Sequence, residues 1–254
     1  MRNGAQFRVA GHPKADHLRT VRPVWPLGPG RPEKTARPGR VVCSAHHTIA
    51  TGWTDFGAFH LMRAEMLAWA RQCPDVQFVF MPHPALLPFP DSDASPISRA
   101  DFDGWMRDWT ALPNTAVLSE EGYGPILAAS DLMVTAGLSM LVEYQLLTKL
   151  VIFFERDGHR PFNAIGEQVV RGVHSVRTVD DARRLAEKLL AGGPDPLADR
   201  QRDNVRRLFG TADSTERILR VLRRGIASEG GEPDAPGRAD PPHGPHRLDR
   251  RLAM

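Results

Sequence analysis

The chain has 254 residues, enough to bury a core of ordinary size, and its 33 Lys and Arg against 30 Asp and Glu give a formal net charge of +3 and a pI of about 9.2. No apolar run approaches the roughly 18 residues needed to span a bilayer, and the N-terminus lacks the apolar core of a signal peptide. Only two cysteines occur, Cys43 and Cys73, without metal-ligand or redox spacing, so reducing cytoplasm is the expected compartment.

In chain order, residues 1–40 are rich in Pro, Gly, Arg and Lys, as in "RPVWPLGPGRPEKTARPGR", and read as a basic linker. "RVVCS" reads as a strand, and "FGAFHLMRAEMLAWARQ" as an amphipathic helix with Phe59, Met62, Met66 and Trp69 on one face. "VQFVFM" is a second strand, stopped by Pro82, and "PHPALLPFPDSDASP" is too rich in Pro to be regular. "DFDGWMRDWTAL" reads as a helix opened by an Asp cap, "TAVLS" as a strand, "GYGPILAAS" as a short helix, and "DLMVT" as a fourth strand. "SMLVEYQLLT" continues as a helix and "LVIFF" as a fifth strand. Three further helices follow: "VDDARRLAEKLLAGG", "LADRQRDNVRRLFG" and "DSTERILRVLRRG", each closing on Gly. Residues 225–254 hold too few apolar side chains to offset the entropy of ordering and read as a disordered tail. Regular strand and helix alternation over residues 41–224 predicts an α/β fold: a doubly wound, Rossmann-like parallel sheet covered on both faces.

The positive residues sit mainly in the N-terminal segment and the Arg-rich helices near the C-terminus. That distribution suits an anionic membrane surface or a phosphate-rich polymer, although solvated helix faces are the plainer reading. No nucleic-acid partner is expected.

Parallel strands share one carboxyl edge, so the segments "SAHHTI", "MPHPALL", "SEEGYG", "TAGLSMLVEY" and "FFERDGHRPFN" should converge there. His83 lies between two prolines that fix its backbone, which suits contact with a phosphate as donor or proton carrier, the alternative being a turn histidine that happens to precede Pro84. His46 and His47 follow the first strand, and because adjacent residues point to different sides, one of the pair is expected to be structural. Gly137 and Ser139 mark a strand-to-helix turn at which a phosphate can approach free N–H groups. Glu143, one turn further on, can accept hydrogen bonds from ribose hydroxyls, while an ordinary N-cap for Ser139 and a solvated helix residue for Glu143 are the alternatives. His159 and His174 have no second ligand at standard metal spacing, and no nucleophile elbow, Walker loop or "GxGxxG" is present.

Taken in order, "HHTI", "FGAF", "FVFMPHPAL", "W...LPNT", "GYGPILAASDLMVT", "S...EYQ", "KLVIFFE" and "FN.IGE" resemble the C-terminal half of the CDP-glycerol glycerophosphotransferases of teichoic-acid and capsule synthesis. "GHPKADHL", residues 11–18, looks like the short segment which that family carries between its halves. The resemblance implies the C-terminal, donor-binding half of a GT-B architecture, with a CDP-glycerol or similar nucleotide donor, a polymer acceptor and no obligatory metal; no cofactor is expected, and the charge distribution is what suggests a peripheral contact with the inner membrane face. It implies that an acceptor hydroxyl attacks the donor phosphoryl group and CMP leaves. By position His83 would contact the donor phosphates, Ser139 the pyrophosphate and Glu143 the ribose, with His46 or His47 facing the cleft. The sequence departs from the family at Ala136, where an acidic residue is usual, and lacks the half whose "WHG"-type loop is thought to supply the general base. This chain alone is therefore expected to lack transferase activity. A glycosyltransferase using a nucleotide sugar and a non-catalytic nucleotide-binding remnant are the other readings.

Overall fold

The computed structural model describes residues 10–29, 37–52, 54–118, 122–210 and 213–229. Alternate residues of its strands feed two separate cores, which is why the strand runs read as almost continuously apolar. In β1 (Gly39–Ala45), Val41, Cys43 and Ala45 enter one core and Val42 the other. In β2 (Val76–Pro82), Phe78 and Phe80 face the first and Val79 and Met81 the second. β3 (Thr115–Val117), β4 (Leu132–Thr135), β5 (Leu150–Phe154) and β6 (His174–Val176) complete a six-stranded sheet, wholly parallel, in the order β3-β2-β1-β4-β5-β6. This is a Rossmann-like α/β fold. Chain direction across the sheet reverses between β1 and β4, and ligands of open α/β sheets bind at the carboxyl side of such a switch point.

Helices α2 (Phe59–Gln72), α3 (Arg99–Thr110) and α7 (Val179–Leu190) cover the first face. Its centre is aromatic: Trp105 stacks on Trp109 at 5.0 Å between ring centroids and meets Phe80 edge-on at 4.8 Å. Both indole N–H groups find backbone carbonyls, Trp105 at Arg63 and Trp109 at Ala116, so neither ring buries an unpaired donor. The second face is covered by α1 (Pro13–Thr20), α4 (Gly124–Ala129), α5 (Leu138–Gln145), α6 (Ala164–Val170) and α8 (Ala198–Asn204). A π-helical turn, Val205–Phe209, extends α8 and stops at Gly210, whose φ of 75° suits a residue without Cβ.

The structure differs from the sequence reading in five places. Residues 13–20, read within a linker, form α1, because Pro13 starts a helix and Ala15 and Leu18 bury almost completely in the second core. The cap of α3 is Ser98, whose Oγ accepts from the Asp101 N–H and donates to the Asp101 carboxylate; Asp101 sits within the first turn. The Pro-rich stretch after β2 contains two 3-10 turns, Pro84–Leu86 and Phe89–Asp91. The sequence pattern does not mark α6 and β6 as elements, since β6 is only three residues long and holds a single aliphatic residue. The last helix, α9 (Ser214–Glu229), runs through Gly225. Of the residues read as a disordered tail, 230–254 lie outside those described, as do residues 1–9 and 30–36 of the linker reading.

The chain divides into two units, residues 1–215 and 216–254. Within the second, the described part is the continuation of α9, with Arg223 facing Glu216 at 3.5 Å. No described helix is long and apolar enough to cross a membrane.

The loop between β1 and α2 is pinned by charge and by close packing. Asp55, at φ 55°, accepts from the Gly52 N–H and lies 3.5 Å from Arg156, which donates to the carbonyls of Ile49 and Gly57. Gly57 presses so closely on this turn that a Cβ there would lie 2.6 Å from the Thr48 carbonyl. Gly57→Ala is therefore expected to destabilise the fold by about 1–3 kcal/mol through overpacking. Thermal unfolding with an unchanged midpoint would show that the loop is not held by this contact.

Candidate functional site

Register alone brings the first candidates together. Ala45 pairs with Pro82, and Ser44 with both Met81 and Thr135, so the residues that follow these strand ends leave the sheet side by side. The His83 N–H donates to the Ala45 carbonyl at 2.9 Å, extending the ladder one residue beyond the strands. His46, His47 and His83 then form one cluster: ring centroids are 4.4 Å apart for His46–His47, 4.2 Å for His47–His83 and 5.7 Å for His46–His83. Both rings of the adjacent pair lie against His83, so the expected placement of the two on different sides is not met. The chain leaves the extended conformation at His46, so strand alternation no longer separates the two rings.

Hydrogen bonds fix how two of these rings present themselves. His83 caps the 3-10 turn that follows it, its Nδ1 accepting from the Ala85 N–H at 3.1 Å. A neutral ring held this way carries its proton on Nε2, which becomes a donor. His46 Nδ1 lies 2.8 Å from Thr48 Oγ1 and 3.3 Å from the Thr48 backbone N–H, while the Thr54 hydroxyl donates to Thr48 Oγ1. The chain Thr54 to Thr48 to His46 thus runs toward Nδ1 and again leaves Nε2–H as the donor. His47 Nδ1 is buried without a partner. Burial, with His47 and His83 beside it, pushes the His46 imidazole down to about 4, and burial with His83 also lowers His47.

β4 delivers the opposite wall. Thr135 Oγ1 accepts from the Gly137 N–H, and Gly137 caps α5 without a side-chain bond. Ser139 is exposed in the first turn, so the N-cap alternative for it does not hold. A Cβ on Gly137 would stand between Thr135 Oγ1 at 3.4 Å and the His46 ring at 3.7 Å; its absence leaves open the approach to the free N–H groups of α5. Glu143 is buried rather than solvated. Its Oε1 accepts from Lys14 Nζ at 2.8 Å and its Oε2 from the Tyr123 hydroxyl at 2.6 Å, and Lys14 also donates to that hydroxyl at 2.7 Å. Burial alone would lower the Lys14 ammonium, but the bonds to Glu143 and Tyr123 outweigh it and hold it above its ordinary value.

A cleft of about 230 Å³ lies between these walls, lined by His46, His83, Gly137, Ser139, Glu143 and Tyr123 among others. Five of the six candidate residues therefore share one concavity, with His47 packed against His83 at its rim. Of the other segments expected to converge, "SEEGYG" contributes Tyr123 to the cleft, its residues 119–121 lying outside those described, and the segment after β5 does not reach it. The segment after β5 buttresses the β1–α2 loop: Arg156 binds its carbonyls, and His159 stacks on Phe56 at 4.6 Å and bonds Glu155. Ala136 is fully buried and offers the cleft no polar group. Sequence reasoning misses Lys14 and Tyr123, because nothing in local spacing links a lysine in a Pro-rich segment to a carboxylate 129 positions away. Among the described residues no group of three or more His, Cys, Asp or Glu side chains could hold a metal ion.

No family model and no curated protein matches the chain. Solved structures do. The wall teichoic acid polymerase TagF, in a form soaked with CDPG, superposes with a TM-score of 0.51 at 12% identity, covering 76% of this chain and 45% of that one. A putative UDP-N-acetylglucosamine 2-epimerase from Listeria monocytogenes gives 0.51 at 13% identity, covering 86% and 53%. Another UDP-N-acetylglucosamine 2-epimerase gives 0.50 at 15%, covering 91% and 54%. The chain thus spans about half the length of the solved structures it matches. At such identities the likeness establishes the fold, a Rossmann-like half of the GT-B type.

The His46 geometry has a pH signature. A group whose folded pKa lies below its ordinary value of 6.5 binds fewer protons folded than unfolded between the two values, so stability is lost as pH falls from 6.5 toward 4. His46→Asn is expected to flatten this slope, and the His46 ring resonances should stay those of neutral imidazole at pH 5. Titration of that ring near its ordinary value would show that it is neither desolvated nor held by Thr48.

Proposed function

We propose that this chain is the nucleotide-donor half of a transferase of the CDP-glycerol glycerophosphotransferase type, acting in synthesis of a cell-surface polymer such as teichoic acid or capsule. One observation carries the reading: imidazole donors, a helix N-terminus and an anchored carboxylate line a single cleft at the carboxyl edge of the sheet. A nucleoside diphosphate offers groups to match each. In this reading the Nε2–H groups of His83 and His46 donate to nonbridging phosphate oxygens, and the free N–H groups of the first turn of α5, at Ser139, take the pyrophosphate, with Gly137 leaving the approach open. The Glu143 carboxylate accepts from the ribose hydroxyls. The cleft is smaller than the roughly 300–1,000 Å³ of an enclosing small-molecule pocket, which fits a surface that covers one side of its ligand.

The chemistry is displacement at phosphorus. An acceptor hydroxyl attacks the glycerol-bearing phosphorus, the bond to the bridging oxygen breaks, CMP leaves with that electron pair, and the hydroxyl proton passes to a base. With Nδ1 engaged and Nε2 protonated, His46 and His83 in their neutral forms are donors, suited to holding charge that develops on the phosphoryl oxygens. They are poor bases as held, so the base comes from outside this pair. The acceptor polymer and a peripheral contact with the membrane face belong to the same proposal.

The epimerase likeness, equal in quality to that with TagF, favours a second reading, a nucleotide-sugar enzyme on the same fold. Calorimetry separates them: CDP-glycerol and CDP should bind in preference to UDP, and preferred UDP binding would favour the second reading. Absence of binding by all three at millimolar concentration would remove the nucleotide assignment. His83→Ala is expected to weaken CDP by about one to two decades and CMP much less, the effect of a charge-assisted hydrogen bond to the outer phosphate. Equal losses for CDP and CMP would move His83 away from that phosphate.

A further inference from the structure

We propose that Lys14 is a positioning residue for donor recognition, acting through Glu143 to make the cleft selective for a ligand with a vicinal diol; this rests on the nucleotide-donor reading. Lys14 stands on α1, outside the strand and helix units that build the sheet, yet its ammonium reaches the cleft wall from behind. Three bonds close a ring there: Lys14 Nζ to Glu143 Oε1 at 2.8 Å, Lys14 Nζ to the Tyr123 hydroxyl at 2.7 Å, and that hydroxyl to Glu143 Oε2 at 2.6 Å. Each carboxylate oxygen has one fixed donor and retains a lone pair. The carboxylate plane is thereby set, with both oxygens able to accept from a second pair of donors on the cleft side. Two adjacent hydroxyls of a ribose have the spacing for such a double contact.

The arrangement also settles a charge problem. Glu143, with its side chain 9% exposed, lines the same cleft as the imidazoles assigned to phosphate. A buried carboxylate without a countercharge is costly, and its charge repels a diphosphate. Lys14, 38% exposed and outside the residues that line the cleft, supplies that countercharge.

α1 is built to hold that lysine in place. The His12 N–H donates to the Phe209 carbonyl at 3.0 Å, and the Asp16 carboxylate accepts from the Thr215 N–H at 2.7 Å. His17 packs against Gly124, where a Cβ would come within 3.0 Å of its Nε2. Gly11 has φ 92°, and a Cβ on it would fall 2.3 Å from Ser214 Oγ. The helix is fixed against α4 and against Phe209, Ser214 and Thr215, so the contact of Lys14 with Glu143 is held from both ends of α1.

The test compares CDP with 2′,3′-dideoxy-CDP by calorimetry on the whole chain. The wild-type chain should prefer CDP, and Lys14→Met should lose about tenfold in CDP affinity with little change for the dideoxy ligand, so that the preference collapses. Lys14→Arg should restore most of it, and thermal unfolding of each variant identifies any loss due to misfolding. Equal losses for both ligands, or an unchanged preference in a folded Lys14→Met chain, overturns the positioning role while leaving nucleotide binding intact. No binding of either ligand by the wild-type chain overturns the donor reading itself, and this inference with it.

Discussion

Everything at the candidate site depends on the parallel register of β1 with its two neighbours. Pairing Ala45 with Pro82 and Ser44 with Thr135 makes His46, His83 and Gly137 leave the sheet within a few ångströms of one another. A slip of one residue would turn the core-facing side chains of β1 toward the other face and carry these three residues out of register. The register is protected on both sides, because Val41, Val42, Phe78, Val79, Leu132 and Met133 are each fully buried and alternate between two cores. The hydrophobic packing of the sheet and the geometry of the cleft are therefore one constraint.

Upon this frame burial and pairing limit the net charge that His46, His47 and Glu143 bring to the cleft. Burial and mutual proximity keep His46 and His47 neutral in the pH range of most enzymes, and Glu143 is matched by Lys14. Neutral donors and a helix N-terminus can receive a phosphate without the large desolvation cost that a buried free cation would bring. The β1–α2 loop, held by Gly57, Asp55 and Arg156, keeps Thr48 and Thr54 behind His46, so orientation of the ring originates in packing well away from the cleft.

Much of this is legible in the sequence because its signals are local. Strand runs ended by Pro82 or by small residues, and helices with apolar residues three and four apart, indicate five of the six strands and the edge at which they end. His83 between prolines and Gly137 at a strand-to-helix turn are likewise readable from neighbours alone. Relations set by tertiary contact escape such a reading. α1 hides in a Pro-rich segment, and its two buried residues give no periodic run. The convergence of His46 and His47 depends on how the chain bends after Ala45, which strand alternation cannot supply. Glu143 reads as a solvated residue or a ribose ligand, while its fixation by Lys14 and Tyr123 becomes visible only with the helices packed. β6 is too short and too polar to announce itself.

The carboxyl edge of the sheet has a rival for ligand on the same chain. A larger open concavity of about 640 Å³ beside α6 and α8 is lined by Arg171, Arg200 and Arg207, with Asp199 and Asp203 among them, and offers anions a second place to bind. Backbone amide NMR of the labelled chain titrated with CDP discriminates between the two. With the ligand at the sheet edge, the largest shifts fall on His46, His47, His83 and the amides of Gly137 through Glu143, with Arg171, Arg200 and Arg207 unchanged. Shifts centred on those three arginines, with the histidines and the first turn of α5 unmoved, would contradict the assignment of the sheet edge as the ligand site.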